Sequence, residues 1–206
     1  MTRRKPDLRL EGALWQGGLR HVAGVDEAGR GALAGPVAAA VVILPPDIEP
    51  DALDGVMDSK QLSSSRRQAA ATLVRRIALA WAVGFASARE IDRWGILPAT
   101  RLAVRRALRQ LTVPPEYLLL DHLLLPEVEL PQTAMPKGDA LVLSIAAASV
   151  LAKTSRDALM EALEARYPGY GFAQHKGYGT AAHRAALRRL GPSPIHRRSF
   201  RLLAGE

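Results

Sequence analysis

The sequence predicts an α/β fold: a mixed sheet with helices on both faces, followed by a helical C-terminal extension. Three observations carry this. Short β-rich runs come first, then runs of that kind alternate with alanine- and leucine-rich helical patterns. Leu118-Leu-Leu-Asp121 is wholly apolar until its last residue, as a strand buried on both faces is in the parallel part of a sheet. The final forty residues hold a glycine-rich loop and a basic helix, with no further strand pattern.

In chain order, residues 1–20 are polar and mixed and read as a leader segment. His21–Asp26 and Pro36–Leu44 read as two neighbouring strands joined by a tight turn, with Gly29, Gly31 and Gly35 punctuating the join. Ser63–Ala80 is helical, with three serines available to cap it. Trp81–Ala86 is a third strand. Pro98–Leu111 is a second helix, with proline at its start and Arg101, Arg105 and Arg109 on one stripe. Leu141–Tyr167 is the longest helical pattern and closes at Pro168-Gly169. Gly169–Gly179 is a loop carrying His175, Lys176 and two tyrosines. Ala181–Leu190 is a basic helix ended by Gly191-Pro192, and the tail beyond it is irregular. The organisation expected is thus a leader over 1–20, a catalytic core over 21–167 and an extension over 168–206 packed on that core.

Composition narrows the chemistry. There is no cysteine, which excludes disulfides, zinc–thiolate sites and thiol nucleophiles. No run of about 18 apolar residues occurs, so no membrane span is expected. Met1-Thr-Arg-Arg-Lys5 is basic but lacks a following apolar stretch, so no signal peptide is read and a cytoplasmic location is expected. The net charge of +8 suits a polyanionic partner. Only five of the 28 basic residues are lysine, so part of that excess can equally reflect an arginine-favouring genome.

Four acids stand out by position. Asp26 and Glu27 follow an apolar strand, Asp121 ends another, and Asp139 precedes the long helix. Alone, an Asp-Glu dipeptide is more often a solvated turn. An acid ending an all-leucine strand is less ordinary, because an unpaired buried carboxylate is costly. Neighbours on a strand face opposite ways, so Asp26 and Glu27 can share a site only if the strand ends or bends there. Carboxylate oxygens without cysteine or paired histidine select Mg2+ or Mn2+ over zinc, and two such ions suit in-line displacement at a phosphodiester. Asp157 lies 18 residues beyond Asp139 along the long helix. At 1.5 Å per residue that is about 27 Å, too far for one site, so Asp157 is read as an ion partner for surface or helix packing.

The motifs then resemble a known family. Gly24-Val-Asp-Glu-Ala-Gly-Arg-Gly-Ala-Leu-Ala-Gly-Pro-Val37 closely resembles the N-terminal signature of ribonuclease HII. Asp58-Ser-Lys-Gln-Leu-Ser63 is similar to its second motif. Lys137-Gly-Asp-Ala140, Ile145-Ala-Ala-Ala-Ser149, Ala152-Lys153 and Arg156-Asp157 resemble its third block. His175-Lys-Gly-Tyr-Gly-Thr180 and His196-Arg-Arg-Ser-Phe200 resemble its C-terminal motifs. These blocks run in family order from about residue 21 to 201.

The resemblance implies a ribonuclease H-like fold, with a five-stranded mixed sheet flanked by helices. It implies a metal-dependent endonuclease of DNA replication and repair. Such an enzyme hydrolyses the RNA strand of RNA–DNA hybrids and cuts 5′ of ribonucleotides embedded in duplex DNA. It does so by two-metal-ion hydrolysis that leaves 5′-phosphate and 3′-hydroxyl ends. It carries the catalytic and metal-ligating roles onto Asp26, Glu27, Asp121 and Asp139, with Mg2+ or Mn2+ as cofactor. It assigns ribonucleotide recognition to Gly29-Arg30-Gly31 and Tyr178, and puts Asp58, Ser59, Lys60, Lys153 and His175 or Lys176 near substrate. The expected partners are RNA–DNA hybrid and ribonucleotide-containing DNA; the chain is expected to be a monomer. No sliding-clamp-binding motif is recognised in Ser199–Glu206.

Simpler roles stay open at several positions. Gly29–Gly31 can be a hairpin turn, Arg30 a phosphate contact, and Tyr178 a loop anchor. His122, His183 and His196 read as structural or solvent-facing rather than as ligands. Two departures from the family pattern stand out: Asp121-His122-Leu123 where small or polar turn residues are usual, and Ala32 where proline is frequent. The rivals are a type 1 or resolvase-like nuclease and, in another class, a non-catalytic nucleic-acid-binding protein on a nuclease scaffold. Gly-Arg-Gly after the acid pair argues against the first, and four intact acids against the second.

Overall fold

The computed structural model describes residues 5–49, 51–57 and 59–203. Asp58 of the second motif, residues 1–4 of the basic N-terminus and residues 204–206 of the tail lie outside the described residues.

Five strands form one sheet: β1 (Val22–Ala28), β2 (Val37–Ile43), β3 (Ala80–Ala86), β4 (Tyr117–Asp121) and β5 (Gln132–Met135). Their order is β3-β2-β1-β4-β5. β1 pairs antiparallel with β2, and β2 with β3; β4 runs parallel to both β1 and β5. β1 is therefore the central strand, and β1 and β4 end side by side. The three leucines of β4 are buried, as expected of a strand covered on both faces.

The helices are α1 (Arg9–Gln16), α2 (Ser64–Ile77), α3 (Ala88–Trp94), α4 (Ile96–Leu108), α5 (Leu143–Arg166), α6 (Phe172–His175) and α7 (Ala181–Leu190). On one face of the sheet Val25, Ala39 and Val41 pack with Ile91, Ala99 and Ala103 of α3 and α4. On the other face Ala40 and Val42 pack with Ala71 and Val74 of α2 and Ala147 and Leu151 of α5. Gly24 lets α5 approach closely: a Cβ there would stand 2.1 Å from the Ser144 carbonyl carbon. Asp26 lies two residues on, on that same face of β1.

The structure departs from the sequence reading in several places. Residues 29–36 are a folded loop, not a tight turn, because they wrap two buried arginines described below. The expected leader contains α1, whose Glu11 is wholly buried. The helix expected from Pro98 is preceded by α3, which opens with a capping box between Ser87 and Glu90. β5 is polar and only partly buried, so no hydrophobic alternation marks it. Ser63 is the cap of α2, accepting from the Arg66 amide.

Candidate metal centre and substrate loop

Asp26 sits on the last turn of pleat of β1, Asp121 is the final residue of β4, and Asp139 lies in a 3-10 turn (Gly138–Ala140) that leads into α5. Their carboxylate oxygens lie within 4.8 Å of one another. Each is held. The Asp26 Oδ1 accepts from the Glu27 amide at 2.7 Å, and its side chain also bonds Ser149 of α5. The Ser149 hydroxyl lies 2.9 Å from that of Ser59. The Asp121 Oδ1 accepts from the Gly138 amide at 2.8 Å, tying the end of β4 to the turn that carries Asp139. The Lys60 ammonium lies 3.4 Å from Asp139 Oδ2.

Burial holds the Asp26 carboxyl well above the usual carboxylate range, and the neighbouring Glu27 and Asp121 charges add to the shift. A carboxylate so destabilised is one that a cation would relieve. Three oxygen donors at this spacing, with no sulfur or imidazole among them, suit Mg2+ or Mn2+.

Glu27 is outside the three-carboxylate group. β1 continues through Ala28, and Glu27 stays near the group: its carboxylate feels the charges of Asp121 and Lys60. Its Oε1 accepts from the Arg30 guanidinium at 3.1 Å. Burial raises its pKa, while the Arg30 hydrogen bond opposes this.

The loop after β1 is braced from beneath by two buried guanidiniums. Arg197 donates to the carbonyls of Gly29 (2.7 Å), Arg30 (2.7 Å) and Gly35 (3.0 Å). Arg156 of α5 donates to Ala34 (3.0 Å), Pro36 (2.8 Å) and Lys176 (2.9 Å). Burial, and then the adjacent Arg156 charge, lower the Arg197 pKa to about 9. Trans peptide planes set C=O and N–H on opposite sides. With the Gly29 and Arg30 carbonyls turned in to Arg197, the amides of Arg30 and Gly31 point away from it. Gly31 is exposed, and a Cβ there would meet nothing within 4 Å. The same loop reaches the C-terminal part, where the Leu33 amide donates to the Gly177 carbonyl at 2.8 Å.

Tyr178 follows. Its ring lies under two cations, Lys153 at 5.5 Å and Arg156 at 5.4 Å from the centroid. Lys153 also bonds Asp157 at 2.8 Å, and Arg67 lies 3.5 Å from the same carboxylate. Asp157 is thus an ion partner outside the three-carboxylate group. The Tyr178 carbonyl is fixed by imidazoles. His183 Nδ1 lies 3.0 Å from it, His183 Nε2 lies 3.0 Å from His196 Nε2, and His196 Nδ1 accepts from the Ser193 amide. One assignment satisfies this chain: His183 carries its proton on Nδ1 and His196 on Nε2. Burial, then the His183 neighbour, push the His196 pKa down to about 4. His122 is exposed with a φ of 60°, and Lys137, at 59°, sits two residues before Asp139. Ser149, Gly138, Arg197 and His196 lie in the motifs quoted above, but their bonding roles were not legible there; His183 and His196 are structural, one of the roles the sequence allows.

Comparison with known proteins follows the same lines. The family model described as Ribonuclease HII matches residues 23–203. A ribonuclease HII of Synechococcus sp. (strain JA-3-3Ab) is 57% identical over 196 residues, covering 95% of this chain and 88% of that one. A ribonuclease HII of Syntrophotalea carbinolica is 53% identical, covering 94% of this chain and 91% of that one. Among solved structures, ribonuclease H2 of Pyrococcus horikoshii matches with a TM-score of 0.73 at 27% identity, over 88% of this chain and 94% of that one. The RNase HII of Archaeoglobus fulgidus, solved in complex with PCNA, matches with a TM-score of 0.74 at 28% identity, over 89% and 96%. With a family-model match over most of its length and relatives more than half identical, this chain belongs to the ribonuclease HII family.

Proposed function

We propose that the chain is an endoribonuclease that hydrolyses the RNA strand of RNA–DNA hybrids and cuts 5′ of single ribonucleotides embedded in duplex DNA. Its products carry 5′-phosphate and 3′-hydroxyl ends, and its cofactor is a pair of Mg2+ or Mn2+ ions. The observation that carries this reading is the convergence of Asp26, Asp121 and Asp139 beside a loop whose amides face outward.

Asp26, Asp121 and Asp139 hold the cations, and Glu27 completes the set once its carboxylate is released from Arg30. Bound divalent cations supply charge for the scissile phosphate, a nucleophilic water and a stabilised leaving oxygen. The protein's own groups do the reading. The amides of Arg30 and Gly31 donate to the ribose 2′-oxygen, the atom that distinguishes RNA from DNA. Gly31 lacks the Cβ that would hold a sugar away. Arg30, freed from Glu27, contacts phosphate. Tyr178 packs against the sugar that follows the ribonucleotide, its ring kept in place by Lys153 and Arg156. Ser59 fixes Ser149 and so the rotamer of Asp26, and Lys60 offsets charge beside Asp139. The protein works as a cytoplasmic monomer, without a clamp-binding motif recognised in Ser199–Glu206.

The test is a duplex containing one ribonucleotide, incubated with Mg2+, with Mn2+ or with chelator, and its product ends mapped. Metal-dependent cleavage on the 5′ side of the ribonucleotide is expected. Tight duplex binding without cleavage under any metal would refute catalysis and favour a non-catalytic binding protein.

A further inference from the structure

α5 carries Ser149, Lys153 and Arg156 toward the site, and Asp139 lies just ahead of it. Yet α5 does not cap itself. Its N-cap is Val142, whose side chain accepts nothing. The amides of Leu143 and Ser144 are buried and need acceptors. Both come from the N-terminal segment. The Asp7 carbonyl takes the Leu143 amide at 3.1 Å, and Glu11 Oε1 of α1 takes the Ser144 amide at 2.8 Å. In return the Asp7 amide donates to the Leu141 carbonyl at 3.1 Å. Glu11 is 0% exposed, so its carboxylate is committed to this one place.

The same segment closes a small apolar cluster. Leu14, Trp15 and Leu19 pack against Val22 of β1, Leu119 of β4, and Val142 and Ile145 at the start of α5. Those three elements bear or adjoin Asp26, Asp121 and Asp139. The link to the carboxylates is short: the Val142 amide donates to the Gly138 carbonyl at 2.8 Å, and the Gly138 amide donates to Asp121.

We propose that the segment from Lys5 to Leu19 is a positioning strap for the metal centre, and that Glu11 is its key residue. By capping α5 it fixes the turn that holds Asp139 and, through Gly138, the rotamer of Asp121. Glu11 touches neither cation nor substrate. The inference rests on the metal-site reading above but not on the substrate.

The experiment measures Mn2+ affinity by calorimetry for the wild type, Glu11→Ala and Glu11→Gln. Glu11→Ala should bind Mn2+ roughly tenfold more weakly, the low end of what losing an outer support costs a metal site. Its kcat at saturating Mn2+ should stay close to wild type. Glu11→Gln keeps an acceptor for the Ser144 amide and should restore the affinity. A role in stability alone would lower the Tm of Glu11→Ala and leave its Mn2+ affinity unchanged, which would overturn the proposal. Binding linkage supplies a test that needs no variant to fold, since coupling between cap and metal is reciprocal. Saturating Mn2+ must slow hydrogen exchange of the wild-type α1 and α5 N-terminal amides; unchanged exchange would overturn the proposal as well. Wild-type protein that binds Mn2+ but leaves every ribonucleotide substrate intact would refute the nuclease reading while these measurements still decide the strap.

Discussion

Replacing Gly29 by alanine puts a methyl group where the loop keeps its brace. Gly29 has φ +91°, and a Cβ there would stand 1.9 Å from Arg156 Nε, 2.4 Å from its Cδ and 2.7 Å from its Cζ. Arg156 cannot swing aside cheaply. It is fully buried and donates to three carbonyls. A hydrogen bond from a charged donor contributes about 1.5–3 kcal/mol net. The positive φ adds strain of about 1–3 kcal/mol for a residue with a Cβ. Losing one such bond together with that strain costs roughly 3–5 kcal/mol. At about 2–4 °C per kcal/mol for a chain of this size, Tm should fall by roughly 6–20 °C. Gly31→Ala is the matched control: its Cβ meets nothing within 4 Å and its φ is not left-handed. That variant should melt with the wild type yet lose kcat/KM on a duplex with one ribonucleotide, because the methyl stands on the open face of the loop. Thermal unfolding followed by circular dichroism, with cleavage assayed well below both transitions, separates the two. A Gly29→Ala transition within about 2 °C of wild type, less than 1 kcal/mol at this size, would refute the brace.

Asp121→Asn keeps the Oδ1 that accepts from Gly138, so the protein should fold and bind duplex while cleavage falls to background; retained activity would remove Asp121 from the site. Tyr178→Ala should lose roughly 1–3 kcal/mol of transition-state stabilisation on a lone ribonucleotide and much less on a long hybrid, where other registers compensate; equal losses in kcat/KM would make Tyr178 a general anchor. Duplex affinity should fall steeply with salt, with a log–log slope of roughly −0.9 per phosphate contact, and a flat titration would contradict the charge reading. The folded His196 pKa of about 4 lies below the ordinary value of 6.5, so the neutral His183–His196 pair adds stability above pH 6.5 that is lost as pH falls toward 4. The stability lost in His196→Asn, measured by urea unfolding, should therefore shrink by up to roughly 3 kcal/mol between pH 7 and pH 4; a pH-independent difference would refute the neutral pair.

What the sequence made legible tracks how local each signal is. α5 was bounded within two residues because an alanine-rich run ends at Pro168-Gly169. Asp121 stood out because three leucines precede it. Strand alternation leaves open whether Asp26 and Glu27 share a site; the three-carboxylate group omits Glu27, yet its carboxylate feels Asp121 and Lys60. β5 was hidden because a short polar edge strand has no apolar face to show. α3 was legible in principle, since Ser87 and Glu90 have capping-box spacing, but it is too short to display helical periodicity. α1 escaped for the same reason, and its burial of Glu11 depends on an amide 133 positions away. Arg156 and Arg197 fall in family-like motifs, but their bracing role was not legible, because a buried guanidinium paired to carbonyls leaves no acidic partner in the sequence.

The brace under Gly29 and Arg30 also sets a schedule for synthesis. Arg197 lies 168 positions beyond the glycine carbonyl it holds. A nascent chain releases the loop long before its brace, so residues 29–36 cannot settle until Arg197 has left the ribosome. Until then the outward amides have no fixed direction, and strands β1 and β2 emerge without a competent loop between them. In this order the loop gains its shape only after Arg197 has emerged. For protein engineers the lesson concerns transplantation: moving residues 29–36 onto another scaffold transfers their letters without their shape, unless two inward-pointing guanidiniums travel with them.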